Sequence, residues 1–300
     1  MKLVITGAGG LLGSALLTKA KGHEVFSFYN QHLPASGVPV RTDLQNRDQI
    51  ARSLREVRPD AIVHAAALTD VDRCERDRNL ADSINFEATR AIAKCASDLG
   101  AFLIYVSTDY VFDGKRGMYG EDDEPRPINF YGTTKLRGER AVKELLSEYL
   151  VARTSVIYGS TPSSGKVNFA LWVLNALKED KPVSVTVDQF VSPTLNTNLA
   201  GMIMECLERR LTGTIHLAGA TRLSRFDFAA ELCREWSLSP SLINPVEMSK
   251  MNWYAPRPRD SSLDVTKAAS ILKSVPTTIS QSMRTLKEEL DIGIRDKGVR

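Results

Sequence analysis

The chain has 300 residues and a net charge of 39 − 36 = +3, with 43% apolar and 25% charged residues. These values allow one large domain or two modest ones around a sizeable core, and they give no electrostatic case for a nucleic-acid partner. No uncharged apolar run approaches the ~20 residues that cross a bilayer, and Cys74, Cys95, Cys206 and Cys233 form no C-x-x-C pair, the pattern expected of a reduced, cytoplasmic protein.

Met1-Lys2-Leu3-Val4-Ile5 reads as a strand and not as a signal peptide. Gly7-Ala8-Gly9-Gly10-Leu11-Leu12-Gly13 follows, then a helix to about residue 21. Glycines spaced G-x-x-G-x-x-G between strand and helix permit a tight turn, close approach of a pyrophosphate and its capture by the helix N-terminus. Residues 24–29 read as a second strand. An NAD site usually ends this strand in Asp or Glu for the ribose 2′-hydroxyl. Asn30-Gln31-His32 stand there instead, so NADP(H) is the preferred cofactor and NAD(H) the alternative. His32 reads as a solvated loop residue.

Val38-Pro39-Val40 is a short third strand, and helix 46–57 carries Ile50, Leu54 and Val57 on one stripe behind an Asn46 N-cap. Ala61-Ile62-Val63-His64 is an apolar strand of the parallel type. It ends in Ala65-Ala66-Ala67, which could admit a flat ligand or simply allow tight helix–strand packing. His64 has no second ligand at metal spacing and reads as structural; no metal site is expected. A charged loop over 70–78 precedes a long helix over 80–99, with Ile84, Ala88, Ala91, Ile92 and Cys95 facing inward and Gly100 as its stop. Asn85, near that face, is either a satisfied core amide or a group ordering water beside a cofactor. The apolar strand 101–106 stops at Ser107-Thr108-Asp109, where open parallel sheets bind ligands. Loop 115–128, rich in Gly, Pro and acidic residues, is expected to be exposed and mobile.

Tyr131 opens a helix over 131–147 with Lys135 four residues on, the one such pair among the eight tyrosines. Residues four apart share a helix face. Lys135 is therefore expected beside the Tyr131 phenol, lowering its pKa and fitting it for proton transfer at neutral pH. Strand 149–158 holds Arg153, which must be satisfied by something polar. Beyond it come a small polar segment 159–165, helix 166–178, strand 183–187, loop 188–194, helix 195–209, strand 214–217, helix 226–236, an irregular stretch 238–258 and a tail that frays from about Gly293. The alternation implies an α/β chain: a Rossmann-type doubly wound parallel sheet. Residues 1–158 are assigned to the dinucleotide-binding domain, with pieces near 185–218 and 262–290 returning to it. Residues 159–300 form mainly a smaller substrate-binding lobe.

The glycine turn, Ser107-Thr108-Asp109 and Tyr131-x-x-x-Lys135 together resemble the extended short-chain dehydrogenases/reductases. Val106-Ser107-Thr108-Asp109-Tyr110-Val111-Phe112-Asp113-Gly114, Asp188-Gln189-Phe190 with Ser192-Pro193-Thr194, and Arg257-Pro258-Arg259-Asp260-Ser261-Ser262-Leu263-Asp264 narrow the resemblance to the dTDP-4-dehydrorhamnose reductase family, over residues 1 to about 290. It implies NAD(P)H-dependent reduction of the 4-keto group of a dTDP-6-deoxy-L-sugar. Tyr131 would protonate the C4 alkoxide, Lys135 would tune Tyr131 and bind the nicotinamide ribose, and Thr108 would hydrogen-bond the carbonyl oxygen. Gly7, Gly10, Leu11, Leu12 and Gly13 would line the pyrophosphate, Asp43 and Leu44 would meet the adenine, and Ala65, Ala66 and Ala67 would flank the middle of the cofactor, with Asn85 nearby. Asp109 and Tyr110 would face the sugar. In the later lobe Asn168, Phe169, Gln189, Trp253, Tyr254 and Arg257 offer rings for a base and a guanidinium for phosphate.

The chain departs from the bacterial reductases at Val156, where they carry Trp. The regulatory beta subunit of methionine adenosyltransferase, a member of the same family, also has an aliphatic residue there, and Gly100-Ala101-Phe102-Leu103-Ile104-Tyr105 resembles it too. Thr108, Tyr131 and Lys135, all present, favour an enzyme over a regulator, with a nucleotide-sugar epimerase or dehydratase third. The implied partner is a nucleotide sugar, with a homodimer left open and neither nucleic acid nor membrane.

Overall fold

The computed structural model describes residues 1–161 and 167–297, excepting the side chains of 293–297. Strands β1 (Lys2–Thr6), β2 (Glu24–Tyr29), β3 (Val38–Arg41), β4 (Ala61–His64), β5 (Phe102–Thr108) and β6 (Tyr149–Thr154) join strand Gly213–His216 in one seven-stranded sheet. The order from one edge is β3, β2, β1, β4, β5, β6 and Gly213–His216, and every pairing is parallel. The chain runs outward from β1 to β3, then crosses back to β4. That reversal leaves a crevice beyond the carboxyl ends of β1 and β4, the place where open α/β sheets take ligands.

Alternation along each strand feeds two cores. Leu3 and Ile5 of β1 face one, with helices Leu11–Lys19 and Asn196–Glu208; Val4 faces the other, with helices Arg47–Val57 and Ala88–Leu99. Burial on both faces is why β4 and β5 are apolar up to their carboxyl ends, His64 and Ser107-Thr108. A third core builds the lobe from Tyr158, helix Phe169–Lys178, strand Val183–Thr186 paired with Ile243–Val246, helix Arg225–Trp236, and Ile279, Met283 and Leu286 of the last helix. Helix Asn196–Glu208, strand Gly213–His216 and helix Thr266–Ile271 contribute to the core on the β1 side of the sheet, whereas Val183, Val185, Ile279, Met283 and Leu286 belong to the third core.

Several local expectations are corrected. The charged stretch 70–78 contains helix Val71–Arg76, N-capped by Asp70. The long helix is Arg78–Asp82, a π-helical turn Ser83–Glu87, and Ala88–Leu99. One inserted residue rotates the helix face there, so Asn85 turns fully inward while Ile84 and Ala91 stay half-buried. Loop 115–128 is fastened rather than free. Tyr119 stacks on Phe112 with centroids 4.3 Å apart, gives its hydroxyl proton to Asp113 at 2.6 Å and its backbone N–H to Ser262 O at 2.9 Å. Strand 149–158 is interrupted at 155–156, and strands Phe190–Val191 and Thr194–Leu195 lie within the expected loop 188–194 and just past it. The stretch 238–258 includes strand Ile243–Val246. Residues 162–166, part of the segment read as small and polar and the start of the following helix, lie outside the described residues; that helix spans Phe169–Lys178. The last helix, Ile279–Lys297, continues past Gly293. Among the described residues no helix is long and apolar enough to cross a membrane.

Candidate active site

The glycine turn sits at the sheet reversal and is packed backbone to backbone. A Cβ on Gly7 would lie 2.9 Å from Ala66 Cα, one on Gly9 2.4 Å from His32 O, and one on Gly13 2.1 Å from Gly7 O. Gly7 also has φ +69°, a conformation that costs any side chain strain. Helix Leu11–Lys19 begins at Gly10 with no side-chain cap and no acidic residue in its first turn. Its uncapped N–H groups are suited to an anion. The chain's own residues thus fit a dinucleotide pyrophosphate: a cradle without side chains, at a helix N-terminus. Leu12 is buried in the core and contributes backbone only, while Leu11 O is held by Asn196 Nδ2 at 3.0 Å. Asp43 and Leu44 follow β3; Asp43 Oδ1 accepts from Gln45 N at 3.0 Å and Leu44 packs beneath the sheet.

A chain of hydrogen bonds fixes the Ala65–Ala67 side of the crevice. Ala66 N–H donates to Thr6 Oγ1 at 3.2 Å, Thr6 Oγ1 meets His64 Nδ1 at 2.7 Å, His64 Nε2 meets Thr89 Oγ1 at 3.0 Å, and Thr89 donates to Asn85 O at 2.8 Å. The two fixed ends set the tautomer: Nδ1 accepts and Nε2–H donates. Burial, with the Lys135 charge, pushes His64 down to about 3, so it stays neutral and structural. Asn85 is a core amide. Its Oδ1 accepts from Leu68 N at 2.7 Å and its Nδ2 donates to Leu68 O at 3.0 Å and Thr134 Oγ1 at 3.2 Å. Of the two readings of Asn85, these bonds are those of the satisfied amide, tying the Ala65–Leu68 turn to the helix that carries Tyr131.

That helix, Phe130–Leu145, starts at an Asn129 N-cap that accepts from Gly132 N at 2.8 Å. Gly132 is needed there because a Cβ would lie 2.1 Å from Tyr110 O. The close approach sets Tyr131 beside the end of β5, where the Thr108 hydroxyl interacts with its phenol. The expected tuning is reversed. Burial pushes the Tyr131 phenol up. Lys135 instead donates from Nζ to Val106 O at 2.7 Å and lies 4.1 Å over the Tyr105 ring. Burial pushes Lys135 down to about 7. A phenol that stays protonated at neutral pH has a proton to give, although a raised pKa makes it a weaker acid.

Asp109 is corrected too. Its carboxylate is buried and accepts from Thr108 Oγ1 at 3.0 Å, Ser155 Oγ at 2.8 Å and Ser261 Oγ at 2.6 Å. It joins three loops and orients Thr108 rather than facing a ligand. Asn168 is spent as an N-cap, accepting from Leu171 N at 3.3 Å and donating to Gly159 O at 2.9 Å. Tyr110, Gln189 and Arg257 do converge. The Tyr110 and Tyr131 rings meet edge-on at 5.9 Å, Gln189 Nε2 donates to Tyr110 Oη at 3.5 Å, and the Arg257 charge acts on Tyr110. Arg257 pairs with Asp72 at 2.9 Å and lies 5.4 Å over Trp253; Tyr254 is exposed and takes Arg76 over its ring at 5.0 Å. Phe169 stacks on Phe228 at 5.2 Å.

The group the sequence reading missed is Arg225. It is half-buried, interacts with Tyr110, lies 5.0 Å over Phe169, and forms no ion pair with a carboxylate among the described residues. It opens helix Arg225–Trp236 behind a Ser224/Asp227 capping box. A cation in a first turn opposes the helix dipole, and that mismatch was visible in the sequence.

A family model described as RmlD substrate binding domain matches residues 1–292. The chain belongs to the dTDP-4-dehydrorhamnose reductase family. It is thereby an extended short-chain dehydrogenase/reductase with the Rossmann-type fold of an oxidoreductase. The probable low-salt glycan biosynthesis reductase Agl14 of Haloferax volcanii is 33% identical, over 96% of this chain and 97% of that protein. Methionine adenosyltransferase 2 subunit beta of Pongo abelii is 30% identical over 90% and 82%. Among solved structures, dTDP-4-dehydrorhamnose reductase of Bacillus anthracis in complex with NADP superposes with a TM-score of 0.87 at 32% identity, covering 96% and 99% of the two chains. Within the family, Val156 of this chain is half-buried and packs against the lobe core. Among the described residues no group of three or more His, Cys, Asp or Glu is placed to hold a metal.

Proposed function

We propose that this chain is an NADP(H)-preferring reductase of a nucleotide-linked keto sugar, with dTDP-4-dehydro-L-rhamnose as substrate. The observation that carries the reading is the placement of Tyr131 at the carboxyl end of β5, flanked by Thr108, Tyr110 and buried Lys135, with Arg225 and Gln189 of the lobe reaching Tyr110. The backbone of Gly7–Leu12 and the Ala65–Ala67 turn would hold the dinucleotide, which when bound supplies a hydride to the carbonyl carbon. Tyr131 keeps its proton on Oη and delivers it to the developing C4 oxygen. Thr108, oriented by Asp109, holds the phenol in place, and Lys135 contributes positive charge within the site. NADP(H) is preferred because β2 is followed by Asn30 and Gln31, without a carboxylate to repel a 2′-phosphate, and the NADP complex of the Bacillus anthracis relative supports that choice; NAD(H) is the alternative.

The deciding assay follows NADPH loss with dTDP-4-dehydro-L-rhamnose and identifies the product by mass. Turnover is expected, with none toward simple ketones. No NADPH loss at saturating sugar nucleotide, together with tight binding to a methionine adenosyltransferase, would favour the regulatory reading that the 30% identical beta subunit supports. For the cofactor cradle, Gly7→Val is expected to weaken NADPH binding at least ~10-fold, because strain of ~1–3 kcal/mol adds to a contact with Ala66 backbone. Cofactor fluorescence titration checks it, with circular dichroism to confirm folding; parental affinity in a folded variant would move the site elsewhere.

A further inference from the structure

Lys135 and Glu139 are one turn apart on the same helix, and both are almost wholly buried, at 3% and 1% exposure. Their polar ends meet consecutive residues of β5: Lys135 Nζ donates to Val106 O at 2.7 Å, and Glu139 Oε1 accepts from Ser107 Oγ at 2.6 Å. Arg153 of β6 grips the carboxylate at both oxygens, Nε to Oε1 at 3.0 Å and the second nitrogen to Oε2 at 2.8 Å. Arg153 is itself set by Phe112, 5.1 Å beneath it, and by Glu121 O at 3.5 Å. This is a fixed carboxylate placed where it can act on the one buried ammonium of the site.

We propose that Glu139 is a positioning residue that acts through Lys135: clamped by Arg153 and Ser107 one turn along the same helix, its carboxylate favours the ammonium form of Lys135 beside the cofactor crevice. The inference rests on the reading above that Lys135 serves the cofactor. A buried ammonium loses its hydration and tends to shed its proton. Around Lys135, Tyr131 and Glu139 stand on its own helix, His64 on β4, Cys74 on helix Val71–Arg76 and Tyr105 on β5, with Arg153 on β6 behind Glu139. His64 is neutral and Cys74, pushed up to about 12, stays a thiol. The Glu139 carboxylate pulls Lys135 toward the ammonium form while burial pulls the other way.

The test is NADPH affinity against pH, read by cofactor fluorescence without turnover. A group whose charged form binds, and whose pKa is lowered, loses affinity as pH rises, and Glu139→Gln removes the carboxylate that opposes this loss. The alkaline fall in affinity is expected to move about one pH unit or more toward acid in Glu139→Gln, and Glu139→Asp to restore most of it. A purely structural ion pair predicts a different result: affinity reduced by one factor at every pH, with the fall unmoved. That result overturns the proposal. Should Glu139→Gln not fold, the double variant Glu139→Met with Arg153→Met removes both charges at similar volume and must show the same displacement; a parental profile there overturns it equally. Lys135→Ala separates the two readings. If it binds NADPH as the parent does, the role given to Lys135 is what fails; if it loses affinity while Glu139→Gln keeps the parental profile, only the role of Glu139 fails.

Discussion

Replacing Tyr131 with Phe is expected to lower kcat by ~10²–10⁴ while leaving NADPH affinity within a few-fold. On the proposed reading the phenol beside Thr108 gives the proton, and burial raises its pKa. No neighbour can take over: the Tyr110 ring is edge-on at 5.9 Å, with its hydroxyl engaged by Gln189 and Arg225. The deletion removes one hydroxyl and no packing volume, so folding and ground-state binding should survive. Because the phenol is raised above its ordinary value, its proton is retained through the neutral range and is lost only as pH rises beyond that value. Any alkaline fall in rate between about pH 6 and 9 therefore belongs to Lys135, pushed down to about 7, and not to Tyr131. Lys135→Ala should damage kcat and cofactor affinity together. Steady-state kinetics beside fluorescence titration checks both; equal loss of cofactor affinity in the two variants would make Tyr131 a structural residue.

Much of the fold was legible because parallel strands buried on both faces announce themselves as apolar runs. β2 and β4 fall where the pattern put them, and Asn46 and Gly100 cap their helices as read. The failures share a physical cause: side-chain partners remote in sequence. Asn85 was ambiguous because a π-turn, invisible in a 3.6-residue pattern, decides which way it faces. Loop 115–128 reads as mobile from its glycines and prolines, yet its anchors are Phe112, Asp113 and Ser262. Arg153 was correctly marked as a buried charge in want of a partner, but only the fold supplies Glu139. The Tyr131–Lys135 spacing placed both groups on one helix, while their electrostatics followed from burial, which spacing does not carry.

Arg225→Met is expected to raise the KM for a sugar nucleotide ~10–150-fold, with kcat and NADPH affinity little changed. The range is that of losing a hydrogen bond to a charged group, ~1.5–3 kcal/mol, at 1.4 kcal/mol per tenfold. In the free protein this guanidinium is poorly served. Burial penalises its charge, the helix dipole opposes it, and its near carboxylate, Asp109, is already saturated by Thr108, Ser155 and Ser261. What it gains, an interaction with Tyr110 and a face against Phe169, offsets little of that. A cation that costs stability at a crevice is explained by an anion that arrives there, and a diphosphate beside the first turn of helix Arg225–Trp236 would meet the guanidinium. The same reasoning sets the stability result: Met fills the aliphatic space without the desolvated charge, so the thermal midpoint should stay level or rise. Arg225→Lys keeps the charge but not the planar fork and should fall between. Kinetics with dTDP-sugar, paired with thermal melts, checks this. Loss of stability with an unchanged KM would show that Arg225 holds the lobe together and that the diphosphate lies elsewhere.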